Sequence, residues 1–179
     1  MDVHICAYLF CYAAIKGSQS KGGQIMQITA ALMVCTKKHP NISEEEVKNS
    51  VWHRLWITCR EEPDIRYIAG INCLSQVWAA EELIRVAKKV DGCKVSIICS
   101  YPGMENKCDT IMKKRIKKIL KAADEVVYLA KNPNKQSFEL CNEWLLKHSD
   151  MLIPIYIGNK EQYDKIIQMA INTEHGYTG

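Results

Sequence analysis

Residues 65–90 read IRYIAGINCLSQVWAAEELIRVAKKV and decide the fold class of the chain. The apolar run at residues 65–69 is typical of a buried strand, and Gly70 ends it. After a short polar loop, residues 77–88 place apolar and charged side chains on opposite faces of a helix. A strand, a glycine turn and a helix in this order leave backbone N–H groups at the helix N terminus, where the helix dipole favours an anion. The stretch therefore predicts an α/β domain that binds a nucleotide or a phosphate.

Apolar runs alternate with helical spacings along the rest of the chain. The predicted strands span residues 3–10, 65–69, 94–99, 124–130 and 150–157. Ser43 and Glu46 have the spacing of a capping box, so a helix is expected to begin there. Four apolar residues before it are spaced as in a helix: Ile25, Ile28, Leu32 and Cys35. This alternation predicts a Rossmann-like three-layer α/β sandwich with a mostly parallel central sheet of about five strands.

The composition limits the classes of function. With 179 residues, 47% apolar and 25% charged, the chain has the make-up of one globular domain. Its formal net charge of +4 fits an anionic small ligand without indicating a nucleic-acid groove. Because the nine cysteines include no C-x-x-C pair, no structural metal is expected, and free thiols are typical of a reducing cytoplasm. The apolar run at residues 5–15 is too short for a membrane span and lacks the basic start of a signal peptide.

A parallel sheet of this kind binds ligands outside the carboxyl ends of its strands. The loops predicted at that edge are residues 16–23, 70–75, 100–106, 131–136 and 158–160. The first contains hydroxyl, lysine and glycine residues that can cradle a phosphate: Ser18, Ser20, Lys21 and Gly22. It has neither the spacing of a P-loop nor that of G-x-G-x-x-G. It is therefore either a phosphate loop or an ordinary surface loop.

Two predicted helical faces have two interpretations each. Trp52, His53 and Trp56 form either a base-stacking platform or, as is more common, a part of the core or of a subunit interface. A second helix carries a lysine face, made of Lys113, Lys114, Lys117, Lys118 and Lys121. Such a face can follow a phosphate backbone, but no aromatic residue is interleaved with it. A solvated face is therefore expected, and neither nucleic acid nor a membrane is expected as a partner.

Three segments carry a resemblance to a known family. Residues 68–83 read IAGINCLSQVWAAEEL, residues 95–107 read VSIICSYPGMENK, and residues 137–156 read SFELCNEWLLKHSDMLIPIY. Together they resemble the YpsA-like branch of the SLOG superfamily, a Rossmann-like group that includes DprA and the lonely-guy (LOG) proteins. The first is similar to the family's strand, S-G-G-x-x-G turn and W-A-A-E helix, and the second to its next strand and P-[FY]-like loop. The third is similar to F-x-x-x-N-x-x-[LM]-x-x-x-S-D-x-L-[IL], with matching positions Phe138, Asn142, Leu145, Ser149 and Asp150.

The resemblance implies a single SLOG-like domain over residues 1–179. Residues 1–64 would be a divergent N-terminal part, and residues 65–172 the family-like core. Only Gly70 remains of the family's glycine turn, and Phe10-Cys11-Tyr12 stands where the family has T-G-x-R after its first strand. The loop with which LOG-type enzymes cleave the N-glycosidic bond of nucleotides, P-G-G-x-G-T-x-x-E, is absent.

The resemblance also implies a ligand of the nucleotide or ADP-ribose class, bound without a cofactor or a metal. The chain would be a sensor or a protein that sequesters a signal, as in phage or antiphage signalling. The residues implied for ligand binding are Gly70, Asn72, Ser75, Tyr101, Pro102, Asn142, Tyr156, Gly158 and Asn159. The first three would take phosphate, a tyrosine would stack on a base, and Asn142 and Asn159 would hydrogen-bond the ribose or the base.

Two alternatives stay open. The first is a nucleotide N-glycosidase or ribosyl-transferring enzyme, which needs a carboxylate at the reacting carbon; Glu82 and Glu139 are weak candidates. The second is a ligand-free oligomeric interaction protein that uses Trp52, Trp56 and the cysteine-rich N-terminal half as its contact surface. A homo-oligomer is compatible with all three functions.

Overall fold

The described part of the chain forms alternating strands and helices. The computed structural model describes residues 27–35, 42–61, 65–133 and 136–156. The strands are β1 (Thr29–Cys35), β2 (Arg66–Gly70), β3 (Lys94–Cys99), β4 (Glu125–Tyr128) and β5 (Met151–Tyr156). The helices are α1 (Glu44–Glu61), α2 (Leu74–Ala87), α3 (Thr110–Ala122) and α4 (Ser137–Lys147), with a 3-10 helix at Met104–Lys107. The strand predicted at residues 3–10 lies outside the described residues.

The described strands form one parallel sheet in the order β4-β3-β2-β1-β5. The chain steps outward from β1 to β4 and then returns to place β5 on the other side of β1. Since parallel crossovers are right-handed, this reversal puts α1, α2 and α3 on one face of the sheet and α4 on the other. The prediction of a Rossmann-like α/β fold is confirmed.

Strand β1 corrects the sequence prediction, which placed a helix over residues 25–35. Residues 29–35, TAALMVC, form the strand between β2 and β5. Ala30, Ala31, Leu32 and Met33 are each no more than 2% exposed. A central strand covered on both faces is apolar at every position, so the helical spacing of its residues was a coincidence. The loop at residues 16–23 therefore does not lead into a helix over residues 25–35, which removes one argument for a phosphate loop there.

Alternate residues of the strands pack against different helices. Ala30, Tyr67 and Ile97 face the layer of α1, α2 and α3, in one cluster with Leu55, Leu83 and Ile116. The intervening residues pack against α4, in a smaller cluster formed by Ala31, Ile68, Ile98, Cys141 and Leu145. Because successive residues of a strand point to opposite sides of the sheet, both faces of β1, β2 and β3 are covered.

The three helices on one face are joined by an ion-pair network. Arg115 of α3 donates to Glu81 of α2 at 2.7 Å and to Glu44 of α1 at 2.8 Å. Lys48 lies 2.7 Å from the Glu44 carboxylate and 3.0 Å from that of Glu81. Glu44 opens α1 next to the predicted capping box, which is confirmed: the Ser43 N–H donates to Glu46 at 2.9 Å, and the Glu46 N–H donates to the Ser43 hydroxyl at 3.2 Å.

Candidate ligand site at the carboxyl edge of the sheet

The loops after β2 and β3 meet at the carboxyl edge of the sheet. The two strands pair in register up to Gly70 and Ile98, so the loops that follow them start side by side. The Ser100 hydroxyl donates a hydrogen bond to Oδ1 of Asn72. The other side-chain atom, Nδ2 of Asn72, is buried and makes no regular hydrogen bond among the described residues, and it interacts weakly with the Cys141 thiol. Two of the predicted ligand loops are therefore joined, with a buried amide group between them.

Gln76 fixes the turn between β2 and α2. Its side chain is 4% exposed, and its Oε1 accepts a hydrogen bond from the backbone N–H of Asn72 at 2.8 Å. A buried amide needs such a partner, because leaving it unpaired costs about 1–3 kcal/mol. The sequence prediction missed both Gln76 and Ser100. Only a weak signal was available for Gln76, a polar residue on a buried helix face four positions after Asn72.

Gly70 is required by packing. A Cβ atom at this position would lie 2.9 Å from Sγ of Cys141 on α4, closer than real Cβ atoms approach. Cys141 is fully buried, and its sulfur lies 3.9 Å from the carbonyl oxygen of Ile98. The missing side chain of Gly70 thus makes room for α4. A role of Gly70 in the close approach of a phosphate stays a prediction.

Helix α2 begins without a capping side chain. Cys73 is its N-cap residue in an extended conformation, and its side chain makes no capping hydrogen bond. Its sulfur instead lies 3.3 Å from the hydroxyl of Ser75, which is buried. The first turn also contains no acidic residue. No carboxylate of this turn offsets the positive end of the helix dipole, which favours an anion at this end.

The loop after β3 presents an aromatic ring beside a cation. Tyr101 is half-buried, and Nζ of Lys107 lies 5.2 Å from the centre of its ring. Gly103, with φ 77°, makes the turn that starts the 3-10 helix between them. Pro102 in the same turn is exposed. An aromatic face and an ammonium group in one loop can serve the base and the phosphate of a nucleotide.

Comparison with known families agrees with this geometry. The YpsA model, described as the YspA SLOG family, matches residues 30–178. The chain belongs to the SLOG family. SLOG domains generally bind nucleotide-derived ligands. The match begins inside β1, whereas the resemblance seen in the sequence begins at residue 65. A comparison with curated proteins found no match.

The switch point of this SLOG sheet lies between β1 and β5, where the strand order reverses. Residues 36–40 follow β1, and residues 157–160 follow β5; both loops lie outside the described residues. Several predicted site residues lie outside them as well: Ser18, Ser20, Lys21, Gly22, Gly158 and Asn159. Tyr156 ends β5, and only its backbone is described. The described part of the site is therefore the half built by β2, β3 and α2.

The SLOG-like segment at residues 137–156 contributes to the fold at the opposite edge of the sheet. Asp150, just before β5, accepts a hydrogen bond from the Thr29 N–H at 2.8 Å. Asp124, just before β4, accepts in the same way from the Val95 N–H at 2.7 Å. Leu145 of the same signature is fully buried. These aspartates join neighbouring strands at their amino ends, far from the edge where parallel sheets bind ligands.

The two candidate carboxylates lie in different surroundings. Glu82 is 5% exposed, and its carboxylate accepts from the Arg85 guanidinium, with Nε at 2.8 Å. It stands about 12 Å along α2 from the first helical residue, given a rise of 1.5 Å per residue, so it is poorly placed to act on a ligand at that end. Glu139 lies exposed in the first turn of α4, and Asn142 lies half-buried one turn further on. A catalytic role of Glu139 stays a prediction.

The two buried thiols near the turn are packing groups. Burial raises the pKa of Cys141 to about 11, against a smaller lowering by the Asn72 side chain. Burial likewise raises the pKa of Cys99 to about 12. Both thiols therefore stay protonated at neutral pH and are poor nucleophiles.

Within the described ranges, no group of three or more potential metal ligands is placed to hold an ion. Those ranges also contain no helix with the length and apolar character of a membrane span.

The tryptophans of α1 stack on each other. The ring centres of Trp52 and Trp56 are 5.6 Å apart, with 12° between the planes. Trp52 packs against the core, whereas Trp56 is 49% exposed. The core interpretation therefore fits Trp52. Trp56 leaves an apolar surface on α1.

Proposed function

We propose that this SLOG domain binds a nucleotide or an ADP-ribose-derived small molecule and releases it unchanged, as a sensor or a signal-sequestering protein. The observation that carries the proposal is the α2 N terminus without a capping side chain, next to the buried side-chain amide of Asn72. Both features offer donors at the carboxyl edge, where parallel sheets of this topology bind ligands. Membership of a family whose domains generally bind nucleotide-derived ligands supports the same assignment.

We assign the phosphate to the turn after β2 and the base to the loop after β3. Asn72 and Ser75 stand at the α2 N terminus, and Tyr101 offers its ring beside Lys107. The remaining proposed contacts complete the site from α4 and the β5 side: Gly70, Pro102, Asn142, Tyr156, Gly158 and Asn159. The loop with Ser18, Ser20, Lys21 and Gly22 is a further candidate for phosphate. Because Glu82 is paired with Arg85 and the loop with which LOG-type enzymes cleave nucleotides is absent from the sequence, we propose binding without turnover.

Calorimetric titration with a panel of nucleotides, including ADP-ribose and cyclic ADP-ribose isomers, tests this function. We expect saturable binding of one class, with the recovered ligand unchanged in mass. Asn72→Ala should weaken this binding about 5- to 150-fold, because a buried hydrogen-bond donor is worth about 1–3 kcal/mol. Asn49→Ala, an exposed asparagine on α1, is the matched control and should bind normally. A ligand altered in mass would show an enzyme, and no binding at all would favour an interaction protein that uses Trp56.

Cys73 provides a label-free report on where the ligand binds. It is partly exposed at the α2 N terminus, and partly exposed Cys93 lies just before β3, at the amino end of that strand. We expect bound nucleotide to slow alkylation of Cys73 by iodoacetamide several-fold, while Cys93 reacts at an unchanged rate. Peptide mass mapping reads each site separately. Equal protection of both thiols, or of neither, would place the ligand elsewhere.

A further inference from the structure

The lysine face of α3, made of Lys113, Lys114, Lys117, Lys118 and Lys121, has features that a solvated helix does not need. At 100° per residue, these five side chains cover an arc of about 140° on one side of the helix. Four are exposed, and Lys113 is half-buried. None of the five forms an ion pair with a carboxylate of the described residues. In the same layer, Arg115 and Lys48 are both paired with Glu44 and Glu81.

The spacing of these lysines works against the helix. Lys113 and Lys117, Lys114 and Lys118, and Lys117 and Lys121 are like-charge pairs at four residues, each of which destabilises a helix. α3 contains no acidic residue to offset them. Solvated helices normally alternate charges of opposite sign, which stabilises them. A face that repeats a locally unfavourable choice is expected where function requires it.

We infer that the lysine face of α3 binds the phosphate backbone of double-stranded nucleic acid, without reading its sequence. Lysines at four-residue spacing stand about 6 Å apart along the helix, so they present a row of cations to a row of phosphates. The absence of interleaved aromatics argues against base stacking, but a duplex presents phosphates and hides its base faces. A membrane surface fits less well, because Ile116 and Ile119 are buried in the core and Ile111 is the one large apolar side chain that α3 exposes. This site lies on the outer helix layer and does not depend on the proposed nucleotide site.

Fluorescence anisotropy with a labelled DNA duplex of about 20 base pairs tests the inference. For five phosphate contacts, the logarithm of the affinity should fall against the logarithm of the salt concentration with a slope of about −4.5. Neutralising three contacts with Lys114→Gln, Lys117→Gln and Lys118→Gln should reduce the slope to about −1.8 and weaken binding about tenfold or more at low salt. The same triple variant should unfold at an equal or higher temperature, since it removes like-charge pairs. If these lysines only stabilised the fold, the triple variant would unfold at a lower temperature than the wild type.

The control variant loses the same net charge as the triple variant, but from lysines outside α3. Lys94→Gln, Lys131→Gln and Lys147→Gln remove three exposed lysines on other elements. We expect this control to bind the duplex nearly as tightly as the wild type. An equal loss in both triple variants would reduce the effect to net charge and overturn the inference. So would failure of the wild type to bind at about 50 mM salt, or tighter binding to vesicles of anionic lipid than to the duplex.

Discussion

Gly70→Ala is expected to lower the free energy of unfolding by about 2 kcal/mol, because it overpacks the junction between β2 and α4. The new Cβ atom would stand 2.9 Å from Sγ of Cys141, which is fully buried, so one of the two groups must shift. Gly70 has no positive φ, so its backbone conformation itself accepts alanine. In a strand without this contact, alanine would instead be favoured by about 0.5–1 kcal/mol. Urea unfolding measures the change in the free energy of unfolding caused by Gly70→Ala. A decrease indicates the contact with Cys141, and an increase indicates its absence.

A double-mutant cycle separates this contact from other effects. In a Cys141→Ala background, Gly70→Ala should become neutral or stabilising, which gives a coupling energy of about 2–3 kcal/mol. Gly103→Ala is the control. It should also destabilise, because Gly103 has φ 77°, but Cys141→Ala should not rescue it. Additive effects of Gly70→Ala and Cys141→Ala would contradict the packing explanation.

The same double variant distinguishes the two roles considered for Gly70. If Gly70 serves packing alone, Gly70→Ala with Cys141→Ala should recover nucleotide affinity together with stability. If a phosphate approaches the Gly70 backbone, the alanine methyl group would still block it after stability is restored. Calorimetry on the double variant therefore decides whether the surviving glycine acts on the ligand or on α4.

Local patterns predicted most of this fold, and they failed where tertiary contacts decide. The capping box at Ser43 and the amphipathic α3 could be predicted because each depends on residues close in sequence. The prediction of a helix over residues 25–35 was wrong because a strand buried on both faces shows no alternation of apolar and polar residues. Only the position of β1 between β2 and β5 in the sheet distinguishes it from a helix. In the same way, the packing role of Gly70 was missed, because α4 meets this residue only in the folded chain.

The candidate site was predicted in outline but not in its supporting contacts. The loops after β2 and β3 follow from the parallel topology, and Asn72 was chosen from its position in one of them. Gln76 and Ser100 hold Asn72 through contacts across four and 28 residues, respectively, and neither has a recognisable motif. The Ser149–Asp150 signature pointed to the right family, yet Asp150 binds the backbone of Thr29 at the other edge. A conspicuous motif can thus identify a fold without lying in its site.

Arg115→Met is expected to lower the free energy of unfolding at pH 7 by about 1–2 kcal/mol. Arg115 is the cation that holds Glu44 of α1 and Glu81 of α2 together, and its loss leaves two carboxylates with Lys48 alone. The network is partly exposed, so each pair is worth about 1 kcal/mol or less. Arg115→Lys should lose about half as much, because an ammonium keeps the charge without the forked geometry. Lys114→Met, the unpaired neighbour on the same helix, is the control and should not destabilise.

The pH dependence of this loss identifies its electrostatic cause. The Arg115 hydrogen bond, with a further contribution from Lys48, lowers the pKa of Glu44 from 4.5 to about 2. Burial raises the pKa of Glu81, but hydrogen bonds from Arg115 and Lys48 outweigh it, and the net shift is downward. A carboxylate with a lowered pKa in the folded state contributes stability above its unfolded pKa, and this stability disappears as the pH falls towards the folded pKa. The difference between wild type and Arg115→Met should therefore be full above about pH 5 and shrink steadily towards pH 2–3. A difference that stays constant over this range, measured by urea unfolding at each pH, would show that Arg115 acts through the packing of its aliphatic stem.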